Sequence, residues 1–563
     1  MTLICVPIFV NDPESALADA TEARDRGADL VEFRIDGFYS GRDDENEVPA
    51  VLRLVARCPL PCIVTCRPVL EGGQYDGPDD ARVSLYERLG TAQTAAGVEH
   101  PPTYLDVELA TYARSENIRQ KINLAVDHPG QVRDVSTGLV LSSHDFQTRP
   151  EDLFRRINRM VAEPACRVAK VAYRARSLRD NLELLDILAE ARAAGKAMIA
   201  LGMGPYGVPS RVLAPKFEAF LTFATLRAEA ATAPGQPTID ELLQLYRFRS
   251  IGPSTRVYGV IGHPVEHSIS PAVHNAGFEA VGHDGVYLFL PIQPEFEQFK
   301  ATLLSLIDHP SFDLCGCSVT IPHKEHLLRL ALEQYEEGDG RWHTDNLARV
   351  CGAANTLVIR RDRSGRAERI DVLNTDGPAA AAALELALGD LRSHRVVVLG
   401  AGGTARAVAA SVLERGGQVV IINRTPDRAA RLADELRAHF APAASLLTAP
   451  LSDLPDLRPN AVFNCTAVGM TGGPGPGQSP VPDELLGALP RHSVIADSVY
   501  SPLTTPLLAS ARQISLQTID GLALFVGQAA LQFQAWTDRP APRGLFTQVA
   551  REILESRAAQ AGQ

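Results

Sequence analysis

Short apolar runs, rich in β-branched residues, alternate with amphipathic segments through the first half of the chain. A run of this kind bounded by turn residues predicts a buried strand, and apolar residues at helical spacing predict a helix. Eight runs fit the strand pattern, at residues 3–10, 29–36, 61–67, 103–109, 138–146, 167–173, 197–204 and 219–225. Eight strands with intervening helices over roughly 245 residues predict a (β/α)8 barrel. The last run is the least certain strand, because its pattern also fits a helix.

A second alternation of strand and helix patterns begins at Arg256 and continues to the end of the chain. Between the two halves, residues 247–255 are polar and rich in turn formers, which predicts a linker. Residues 336–340 and 469–482 are typical of exposed loops. The pattern therefore predicts an α/β protein of at least two domains.

The composition is that of a folded globular chain, with 45% apolar and 22% charged residues. This balance excludes disordered and fibrous proteins. The formal charge of −12 gives no bulk field that attracts nucleic acid or an acidic membrane, so we expect neither as a partner. A phosphate-bearing ligand would need a local basic pocket.

Nine cysteines are spread along the chain, an odd number that argues against a disulfide scaffold. Cys58, Cys62 and Cys66 are spaced by four, and Cys315 and Cys317 by two, but no His or Cys cluster completes a four-ligand set. We therefore expect no metal site. Reduced thiols, a start without a basic leader and the lack of an apolar run near the roughly 20 residues of a membrane span predict a cytoplasmic protein.

Polar residues at the carboxyl ends of the predicted barrel strands are candidate site residues, because those ends line the active site of a barrel. They are Glu32, Arg34, Arg67, His144, Lys170 and Arg211. Lys170 interrupts the apolar strand RVAKVAY, and burial lowers the pKa of an amine. A free amine can attack a ketone and form a Schiff base. Taken alone, the pattern also fits a lysine that reaches solvent or is paired with a carboxylate.

Residues 1 to about 246 resemble type I 3-dehydroquinate dehydratase. The resemblance rests on motifs in the family's order: Glu32-x-Arg34, Thr65-Cys66-Arg67 with Glu71-Gly72-Gly73, Ser142-Ser143-His144-Asp145-Phe146, Lys170-Val171-Ala172, Ser210-Arg211 and Ala233-Pro234-Gly235-Gln236. It implies that Lys170 forms an imine with the substrate ketone. It also implies that His144 removes the neighbouring proton and returns it to the departing hydroxyl.

The resemblance extends to the residues that would hold the substrate. Glu71 would orient His144, and Arg211 would bind the substrate carboxylate in a bidentate manner. Contacts with the ring hydroxyls would come from Glu32, Arg34, Arg67 and Gln236. Thr232 stands where the family has a serine; it keeps the hydroxyl, so we expect a modest effect on substrate binding only.

The clearest cofactor signal lies at residues 394–428. A predicted strand at 394–399 is followed by Gly400-Ala401-Gly402-Gly403-Thr404-Ala405, then by a helix and a second strand at 419–422. This G-x-G-x-x-A pattern predicts a Rossmann-type dinucleotide site, because its glycines let the backbone approach a pyrophosphate at the helix N-terminus.

The residues after the second strand discriminate between the two nicotinamide cofactors. NAD sites usually place an acidic residue there for the ribose hydroxyls. This strand ends in Asn423-Arg424-Thr425, with Arg428 one turn later. Because arginine complements a 2′-phosphate, NADP is the expected cofactor.

Residues 254 to about 555 resemble shikimate dehydrogenase. The motifs, again in order, are Ser268-Ile269-Ser270-Pro271, Ser318-Val319-Thr320-Ile321-Pro322-His323-Lys324, Gly352-Ala353-Ala354-Asn355-Thr356 and Asn374-Thr375-Asp376-Gly377, with Gly521 and Gln528 in the closing segment. The resemblance implies that Lys324 and Asp376 form the catalytic pair. The residues implied to bind substrate are Ser268, Ser270, Thr320, Asn355, Tyr500 and Gln528, while Ser498 and Gly521 would lie on the cofactor side.

Together the resemblances imply a bifunctional enzyme like the fused one of plants. Its fold would be a (β/α)8 barrel followed by a two-lobed α/β shikimate dehydrogenase unit with a Rossmann-type NADP domain. The barrel would occupy residues 1–249, a substrate lobe 254–377 completed by about 515–563, and the Rossmann lobe 378–514. The barrel would convert 3-dehydroquinate to 3-dehydroshikimate, and NADPH would reduce this product to shikimate. Residues 336–343 lie in a stretch longer than usual, and neither its role nor the oligomeric state is predicted.

Three alternatives remain at this stage. The second half could prefer quinate with NAD, which Arg424 opposes. The chain could be a ligand-sensing regulator built from decayed copies of these domains, although both candidate catalytic lysines are retained. The barrel could be a class I aldolase, although the set of Glu71, His144 and Arg211 favours dehydration.

Overall fold

The computed structural model describes residues 1–92, 101–131, 136–227, 235–440 and 445–561. They form two units, Met1–Thr255 (unit 1) and Arg256–Gln563 (unit 2). The residues predicted as a linker, 247–255, all belong to unit 1. Phe248 is buried, and the Lys216 ammonium donates hydrogen bonds to the carbonyls of Pro253 and Thr255.

Unit 1 contains the eight predicted strands, joined by parallel ladders. The strands are β1 (Leu3–Phe9), β2 (Leu30–Arg34), β3 (Cys62–Thr65), β4 (Tyr104–Glu108), β5 (Gly138–Asp145), β6 (Cys166–Arg174), β7 (Ala197–Met203) and β8 (Leu221–Phe223). Their order is β7-β6-β5-β4-β3-β2-β1-β8. Between β7 and the residues leading into β8, the described backbone has one hydrogen bond, from the Phe220 N–H to the Met198 carbonyl. The predicted barrel is confirmed, with this narrow closure.

Helices follow the strands as the barrel pattern requires. They are α1 (Pro13–Asp25), α2 (Asp44–Arg57), α3 (Asp79–Gly90), α4 (Leu109–Tyr112), α5 (Glu116–Ala125), α6 (Leu153–Ala162), α7 (Arg179–Ala193) and α8 (Val208–Val212). Local sequence explains where they start. Asp12 accepts a hydrogen bond from the Ser15 N–H at the start of α1, and Ser115 caps α5 through the Ile118 N–H.

The barrel interior changes from apolar to polar toward the carboxyl ends of the strands. Cys5, Ile63, Val140 and Val168 are buried in one apolar cluster. Because residues two apart on a strand share a face, Lys170 lies above Val168 on the inner face of β6. This alternation places the polar residues in a layer over the apolar core.

Unit 2 contains two six-stranded sheets, of which the first is mixed. Its strands are β9 (Arg256–Gly262), β10 (Gly285–Pro291), β11 (Leu314–Val319), β12 (Trp342–Thr344), β13 (Thr356–Arg361) and β14 (Ala367–Leu373), in the order β10-β9-β11-β13-β14-β12. Its helices are α9 (Ser270–Ala280), α10 (Phe296–Asp308), α11 (Lys324–Glu336) and α12 (Asn346–Cys351). Because β13 runs antiparallel to β11, it begins at the edge of the sheet where β11 ends.

The second sheet is parallel throughout. Its strands are β15 (Arg395–Leu399), β16 (Gln418–Ile422), β17 (Leu446–Thr448), β18 (Ala461–Asn464), β19 (Val494–Asp497) and β20 (Gln517–Ile519). The order β17-β16-β15-β18-β19-β20 is that of a Rossmann fold. The remaining helices of unit 2 are α13 (Asp376–Leu388), α14 (Gly403–Glu414), α15 (Pro426–Arg437), α16 (Asp483–Gly487), α17 (Pro506–Gln513), α18 (Gly521–Thr537) and α19 (Arg543–Ala561). Of these, α18 and α19 pack in the apolar core of the mixed sheet.

The stretch at 336–343 ends α11 and begins β12. This short strand pairs in parallel with β14 and forms one edge of the mixed sheet. The Trp342 side chain is buried, and Arg341 forms an ion pair with Asp339. The longer segment therefore extends the sheet.

The structure also bears on the cysteines and on metal and membrane binding. All nine cysteines are free. In the ranges described above, no three His, Cys, Asp or Glu side chains are grouped so that they could hold a metal ion. The helices of those same ranges include none that combines the length and hydropathy of a membrane span.

Candidate active sites

The carboxyl ends of the barrel strands surround a cavity that is open to solvent. Among its lining residues are Glu32, Arg34, Arg67, Glu71, His144, Lys170, Arg211 and Gln236. These are the barrel residues that the sequence predicted for the site, apart from Thr232, which lies outside the described residues. The structure therefore brings together side chains from three strands, β2, β5 and β6, and from the segments that follow β3, β7 and β8.

Lys170 is a buried basic group of this cavity, with only 5% of its surface exposed. Its Nζ donates to Asp106 Oδ2 at 2.9 Å and lies 3.5 Å from Glu32 Oε1. The Phe223 ring centroid is 4.5 Å from the same nitrogen. The amine thus lies between two carboxylates and one aromatic ring, which is the carboxylate pairing that the strand pattern alone left open.

Asp106 and Glu108 on β4 are site residues that sequence reasoning missed. Arg67 bridges them, with Nη2 2.9 Å from Asp106 Oδ1 and Nη1 2.8 Å from Glu108 Oε1. Ser142 donates to Asp106 Oδ1 at 2.6 Å. Burial by itself would raise the pKa of Asp106, but Arg67 and Lys170 outweigh it and hold that pKa well below its usual value. The available signal was two acids at alternate positions of the apolar run YLDVEL, which must share the inner face.

His144 and Glu71 are in contact, as predicted. His144 Nδ1 lies 3.2 Å from Glu71 Oε2, and the His144 backbone N–H donates to the same oxygen at 3.1 Å. Burial, followed by the nearby charge of Glu108, raises the pKa of Glu71 to about 7. Burial, then the charges of Arg67 and Lys170, lowers the pKa of His144 well below its usual value. A neutral imidazole that donates Nδ1–H to Glu71 keeps Nε2 available as a base.

Two glycines allow the Glu71 loop to reach His144. Gly72 has φ +78°, and a Cβ there would lie 2.2 Å from the Phe146 ring. A Cβ on Gly73 would lie 2.0 Å from the Arg67 carbonyl oxygen. Any larger residue would move the loop, because backbone atoms cannot give way as the end of a flexible side chain can.

The three arginines of the cavity differ in how their charge is compensated. Arg34 pairs with Asp36 at 2.9 and 3.0 Å, and Arg67 pairs with Asp106 and Glu108. Arg211 is buried, has no ion pair with any described residue, and its Nε has no hydrogen-bond partner. Burial lowers the pKa of its guanidinium to about 10. Arg211 is therefore the arginine whose charge an anionic ligand would compensate.

A second cluster lies in unit 2, where β11, β13 and β14 meet. Lys324 begins α11 directly after β11, and its Nζ donates to Asp376 Oδ2 at 2.6 Å. Asp376 begins α13 after β14. Asn355, which precedes β13, donates through Nδ2 to Asp376 Oδ1 at 2.8 Å and is almost fully buried. The structure thus unites three of the predicted residues in one hydrogen-bonded group.

Gln532 supports this group and was not predicted. Its Nε2 donates to Thr356 Oγ1 at 3.0 Å and to the Asn355 carbonyl at 3.2 Å, and its Oε1 accepts from Ser318 at 2.8 Å. Only 1% of Gln532 is exposed. A signal was present, because Gln532 lies four residues after Gln528 in the apolar segment LFVGQAALQF and so shares a helix face with it.

The other predicted substrate residues of unit 2 lie on neighbouring elements. Ser268 and Thr320 follow β9 and β11, and Ser270 begins α9. Tyr500 lies after β19 with its ring 5.5 Å from that of Phe525, and Gln528 is half-buried in α18. No hydrogen bond or ion pair among the described residues joins these five side chains to Lys324 or Asp376.

The glycine-rich turn has the geometry of a dinucleotide site. Gly400 has φ +114°, and α14 begins at Gly403 after Gly402, with no side chain capping its first N–H groups. Added Cβ atoms on Gly402 and Gly403 would meet nothing within 4 Å, so the backbone there is open to a ligand. Ala401 and Thr404 flank these glycines, and Ala405 is buried against the Rossmann core. The residues fit a pyrophosphate at the start of α14.

The turn after β16 offers two uncompensated cations. Arg424 and Arg428 are exposed, and neither forms an ion pair with a described residue. Asn423 fixes the turn by donating to the Thr425 carbonyl at 2.9 Å. This arrangement fits a 2′-phosphate better than free ribose hydroxyls.

Ser498 and Gly521 lie near each other in the chain fold. Ser498 directly follows β19, and its N–H donates to the Asn464 carbonyl. A Cβ on Gly521 would lie 2.3 Å from the Val499 carbonyl oxygen. Gly521 is therefore required for the close approach of α18 to the end of β19, whether or not it touches a cofactor.

Comparison with family models divides the chain in the same way. The family model described as Type I 3-dehydroquinase matches residues 4–253. Three further models match unit 2. The model for the shikimate dehydrogenase substrate binding domain matches residues 260–357, the model for shikimate / quinate 5-dehydrogenase matches residues 382–464, and the model for the shikimate 5'-dehydrogenase C-terminal domain matches residues 521–551.

Individual relatives agree with the family models. The chain is 35% identical to the chloroplastic bifunctional 3-dehydroquinate dehydratase/shikimate dehydrogenase of Arabidopsis thaliana, over 97% of this chain and 84% of the relative. It is 34% identical to the NADP(+) shikimate dehydrogenase of Methanopyrus kandleri, over 54% of this chain and 98% of the relative. A crystal structure of shikimate 5-dehydrogenase from Thermus thermophilus with NADP(H) and shikimate is 31% identical, at a TM-score of 0.44 and coverage of 53% of this chain and 99% of that one. The Arabidopsis match spans both units, and this chain therefore belongs to the family of bifunctional 3-dehydroquinate dehydratase/shikimate dehydrogenases.

Proposed function

We propose that this chain catalyses two consecutive reactions of the shikimate pathway with the residues described above. Unit 1 dehydrates 3-dehydroquinate to 3-dehydroshikimate, and unit 2 reduces that product to shikimate with NADPH. The observation that carries the proposal is the group formed by Lys170, His144 and Glu71 in a cavity that also holds the uncompensated Arg211. A buried amine, a neutral base and an anion-binding cation are the parts that Schiff-base dehydration of a carboxylate substrate needs.

In unit 1 the reaction begins at the Lys170 amine. The Lys170 ammonium first releases one proton, and Nζ then attacks the ketone carbon to form a C–N bond. The ketone oxygen takes up that proton and one from the nitrogen and leaves as water, which gives an iminium. His144 Nε2 then takes a proton from the adjacent carbon, and the C–H electron pair moves toward the nitrogen. The pair returns to expel the ring hydroxyl, which departs as water with the proton from His144. Hydrolysis of the product iminium restores Lys170, so the net change is the loss of one water.

The remaining cavity residues would position the substrate. Arg211 binds the carboxylate, because its charge lacks a partner among the described residues. By the family pattern, Glu32, Arg34 and Gln236 would contact the ring hydroxyls, and the hydroxyl of Thr232 would serve in place of the family's serine. Arg67 joins them, although its Nη atoms already bond Asp106, Glu108 and Ser142.

In unit 2, Lys324 would donate the proton that the ketone oxygen needs during reduction. When bound, NADPH supplies the hydride. Asp376 holds the Lys324 ammonium at 2.6 Å, and Asn355 fixes the second oxygen of that carboxylate. Ser268 and Ser270 would bind the carboxylate, and Thr320, Tyr500 and Gln528 the ring or its hydroxyls.

The residues that would hold NADP follow from the turn geometry. The backbone of Gly400, Ala401, Gly402, Gly403, Thr404 and Ala405 would bind the pyrophosphate. Asn423, Arg424, Thr425 and Arg428 would surround the adenosine ribose and its 2′-phosphate, and Ser498 would lie beside the nicotinamide. Comparing turnover of shikimate with NADP against quinate with NAD tests the alternative specificity.

The finer division of unit 2 and the location of the protein are also proposals. Residues 254–377 with 515–563 would form the substrate lobe and 378–514 the Rossmann lobe. The separation of the two sheets supports this division except at its last boundary, because β20 (Gln517–Ile519) pairs with β19 in the parallel sheet. The barrel would end near residue 249. We propose a cytoplasmic location, whereas the Arabidopsis relative is described as chloroplastic; fractionation of the source cells distinguishes the two.

Two single substitutions in one chain test the assignment. Lys170→Ala should abolish dehydratase activity while shikimate oxidation by NADP is retained, and Lys324→Ala should have the reverse effect. Incubation of the unsubstituted chain with 3-dehydroquinate and borohydride should add a reduced adduct to the peptide that contains Lys170. Full dehydratase activity in Lys170→Ala, or an adduct on another lysine, would overturn the proposal.

A further inference from the structure

The carboxylate nearest to the Lys170 amine belongs to a residue that the proposed reaction has not yet used. Asp106 Oδ2 lies 2.9 Å from Nζ, on the side of the barrel formed by β4. Asp106 is fully buried, and its other oxygen accepts hydrogen bonds from Arg67 and Ser142. Three donors therefore fix this carboxylate in one orientation.

The charge on the lysine nitrogen explains what a fixed anion could do. A lysine ammonium and a ketone give a protonated imine and water, so the nitrogen carries one positive charge before and after the bond forms. The charge disappears when the C–H electron pair moves to the nitrogen, and it returns when the hydroxyl is expelled. A protonated imine attracts that electron pair far better than a neutral imine does.

We propose that Asp106 is the counter-ion of the iminium formed on Lys170 and keeps that nitrogen protonated while His144 removes the proton. The proposal rests on the proposed Schiff-base function. The N–H of the iminium would stay directed at Asp106 Oδ2, in the place now occupied by an ammonium N–H. Asp106 touches the reacting nitrogen and would be a catalytic residue of unit 1.

Every charged or titratable group around the nitrogen is consistent with this role. Glu32 on β2 is farther away, at 3.5 Å, and accepts a 2.7 Å hydrogen bond from Thr65. Cys5 on β1 is a neutral thiol, because burial raises its pKa well above the usual value. His144 on β5 is neutral for the reason given above, and Arg67 after β3 is bound to Asp106 itself. Asp106 is thus the closest anion.

The arrangement also keeps Asp106 ionised. Arg67 and Lys170 hold its pKa well below the usual carboxyl value despite complete burial. The anion is therefore present at every pH at which the enzyme would work. Because such a weak base cannot accept the iminium proton, the proton stays on nitrogen.

Asp106→Asn tests the proposal, since it keeps the shape and removes the charge. Cyanoborohydride reduces iminium ions and leaves neutral imines, so the yield of Lys170 adduct against pH reports the protonation of the imine. We expect the yield in the unsubstituted chain to persist to about pH 9, and in Asp106→Asn to fall at a pH lower by at least about one unit. The kcat for dehydration should fall roughly 100-fold or more, with a smaller change in KM.

Two matched variants separate charge from packing. Ser142→Ala removes the 2.6 Å hydrogen bond to Asp106 but keeps the carboxylate, so the pH at which the yield falls should stay unchanged. Glu32→Gln removes the more distant charge and should move that pH by less than Asp106→Asn does. Equal shifts in Glu32→Gln and Asp106→Asn would overturn the assignment to Asp106.

The outcomes distinguish this proposal from the function on which it rests. If the unsubstituted chain gives no adduct on Lys170 at any pH, the Schiff-base function itself fails. If Asp106→Asn forms the adduct with an unchanged pH dependence, the counter-ion proposal fails alone. Binding of 3-dehydroshikimate and the thermal unfolding curve control for folding. Should Asp106→Asn not fold, the 15N signal of labelled Lys170 in the unsubstituted adduct must be that of an iminium up to about pH 9, or the proposal is overturned.

Discussion

At the scale of single residues, the buried arginines of the barrel cavity differ in whether a carboxylate of the protein compensates their charge. Arg34 and Arg67 have carboxylate partners, whereas Arg211 has none among the described residues. An unpaired buried cation lowers stability, but it is the group that gains most from an anionic ligand. Stability and substrate affinity should therefore respond in opposite directions when Arg211 is replaced.

Arg211→Met should raise the KM for 3-dehydroquinate roughly 100-fold, because the substrate carboxylate loses a charge-assisted partner. The same change should raise the free energy of unfolding by about 1–3 kcal/mol, since a buried unpaired charge is removed. Steady-state kinetics and denaturant unfolding measure the two effects. Arg34→Met is the matched control and should lower stability by about 3 kcal/mol, because it leaves Asp36 buried without its partner. Loss of stability in both variants would contradict this account.

Glu71 should produce the acid limb of the dehydratase pH profile. Its pKa is raised to about 7 by burial, so below that pH the carboxyl is protonated and no longer accepts Nδ1–H of His144. The pKa of His144 lies well below its usual value and should not add a limb there. We expect kcat/KM to fall below about pH 7, and Glu71→Gln to remove this limb and lower kcat roughly 10- to 100-fold.

The same shift has a signature in stability. An acid whose pKa rises on folding binds a proton in the native state at a pH where the unfolded chain has released it. Stability should therefore decrease as pH rises from about 4.5 to about 7, by on the order of 2–3 kcal/mol, and this dependence should be absent in Glu71→Gln. Urea unfolding at several pH values provides the measurement. An identical pH dependence in both proteins would assign it to another group.

At the scale of elements, one loop determines whether the catalytic base has its partner. The turn after β3 places Glu71 against His144 only because Gly72 and Gly73 leave room for Phe146 and the Arg67 carbonyl. A strand-to-helix connection of this kind has no core of its own, so its shape depends on a few close contacts. Its glycines are therefore as important to the chemistry as the glutamate.

Gly73→Ala should reduce dehydratase kcat roughly 10- to 100-fold, because the added methyl overlaps the Arg67 carbonyl and displaces Glu71. Shikimate oxidation by the same chain provides an internal reference and should be unchanged. Gly252→Ala is the matched control in unit 1, since a Cβ there meets nothing within 4 Å and its φ is not positive. Equal losses of dehydratase activity in the two variants would show that the loop contact is not the cause.

The strands and helices were more predictable from sequence than the contacts between them. The eight barrel strands followed from local hydrophobic periodicity and the Rossmann turn from its glycine pattern, and motifs located Lys170, His144 and Lys324. Asp106 and Gln532 were missed, because their importance depends on partners 64 and 176–214 positions away. The choice between a free and a carboxylate-paired Lys170 stayed open for the same reason, since β6 alone does not reveal which side chains β2 and β4 direct at it.

At the scale of the whole molecule, each unit has its own apolar cores and its own group of catalytic side chains. Within unit 2, the two sheets position different groups of candidate site residues. The mixed sheet carries Lys324 and Asn355, and the parallel sheet carries the glycine-rich turn. The stabilisation that a bound ligand gives can therefore be measured separately for each sheet.

NADP⁺ at 100 times its Kd should stabilise the Rossmann sheet by about 2.7 kcal/mol. Hydrogen exchange of peptides that cover β15 to α15 reports this effect directly. NAD⁺ at the same concentration should have a much smaller effect, because Arg424 and Arg428 then lack a 2′-phosphate. Replacing both arginines by alanine should abolish the difference between the cofactors. Equal protection of the unsubstituted chain by NAD⁺ and NADP⁺ would contradict the assigned specificity.

The narrow closure of the barrel has a consequence for how its interior meets water. One hydrogen bond, from the Phe220 N–H to the Met198 carbonyl, joins the described backbone at this seam, and Phe223 three residues later covers the Lys170 nitrogen. Local opening at this seam should cost less free energy than separating any of the full strand ladders. The backbone amides of the seam should therefore be the first in the barrel wall to exchange with solvent.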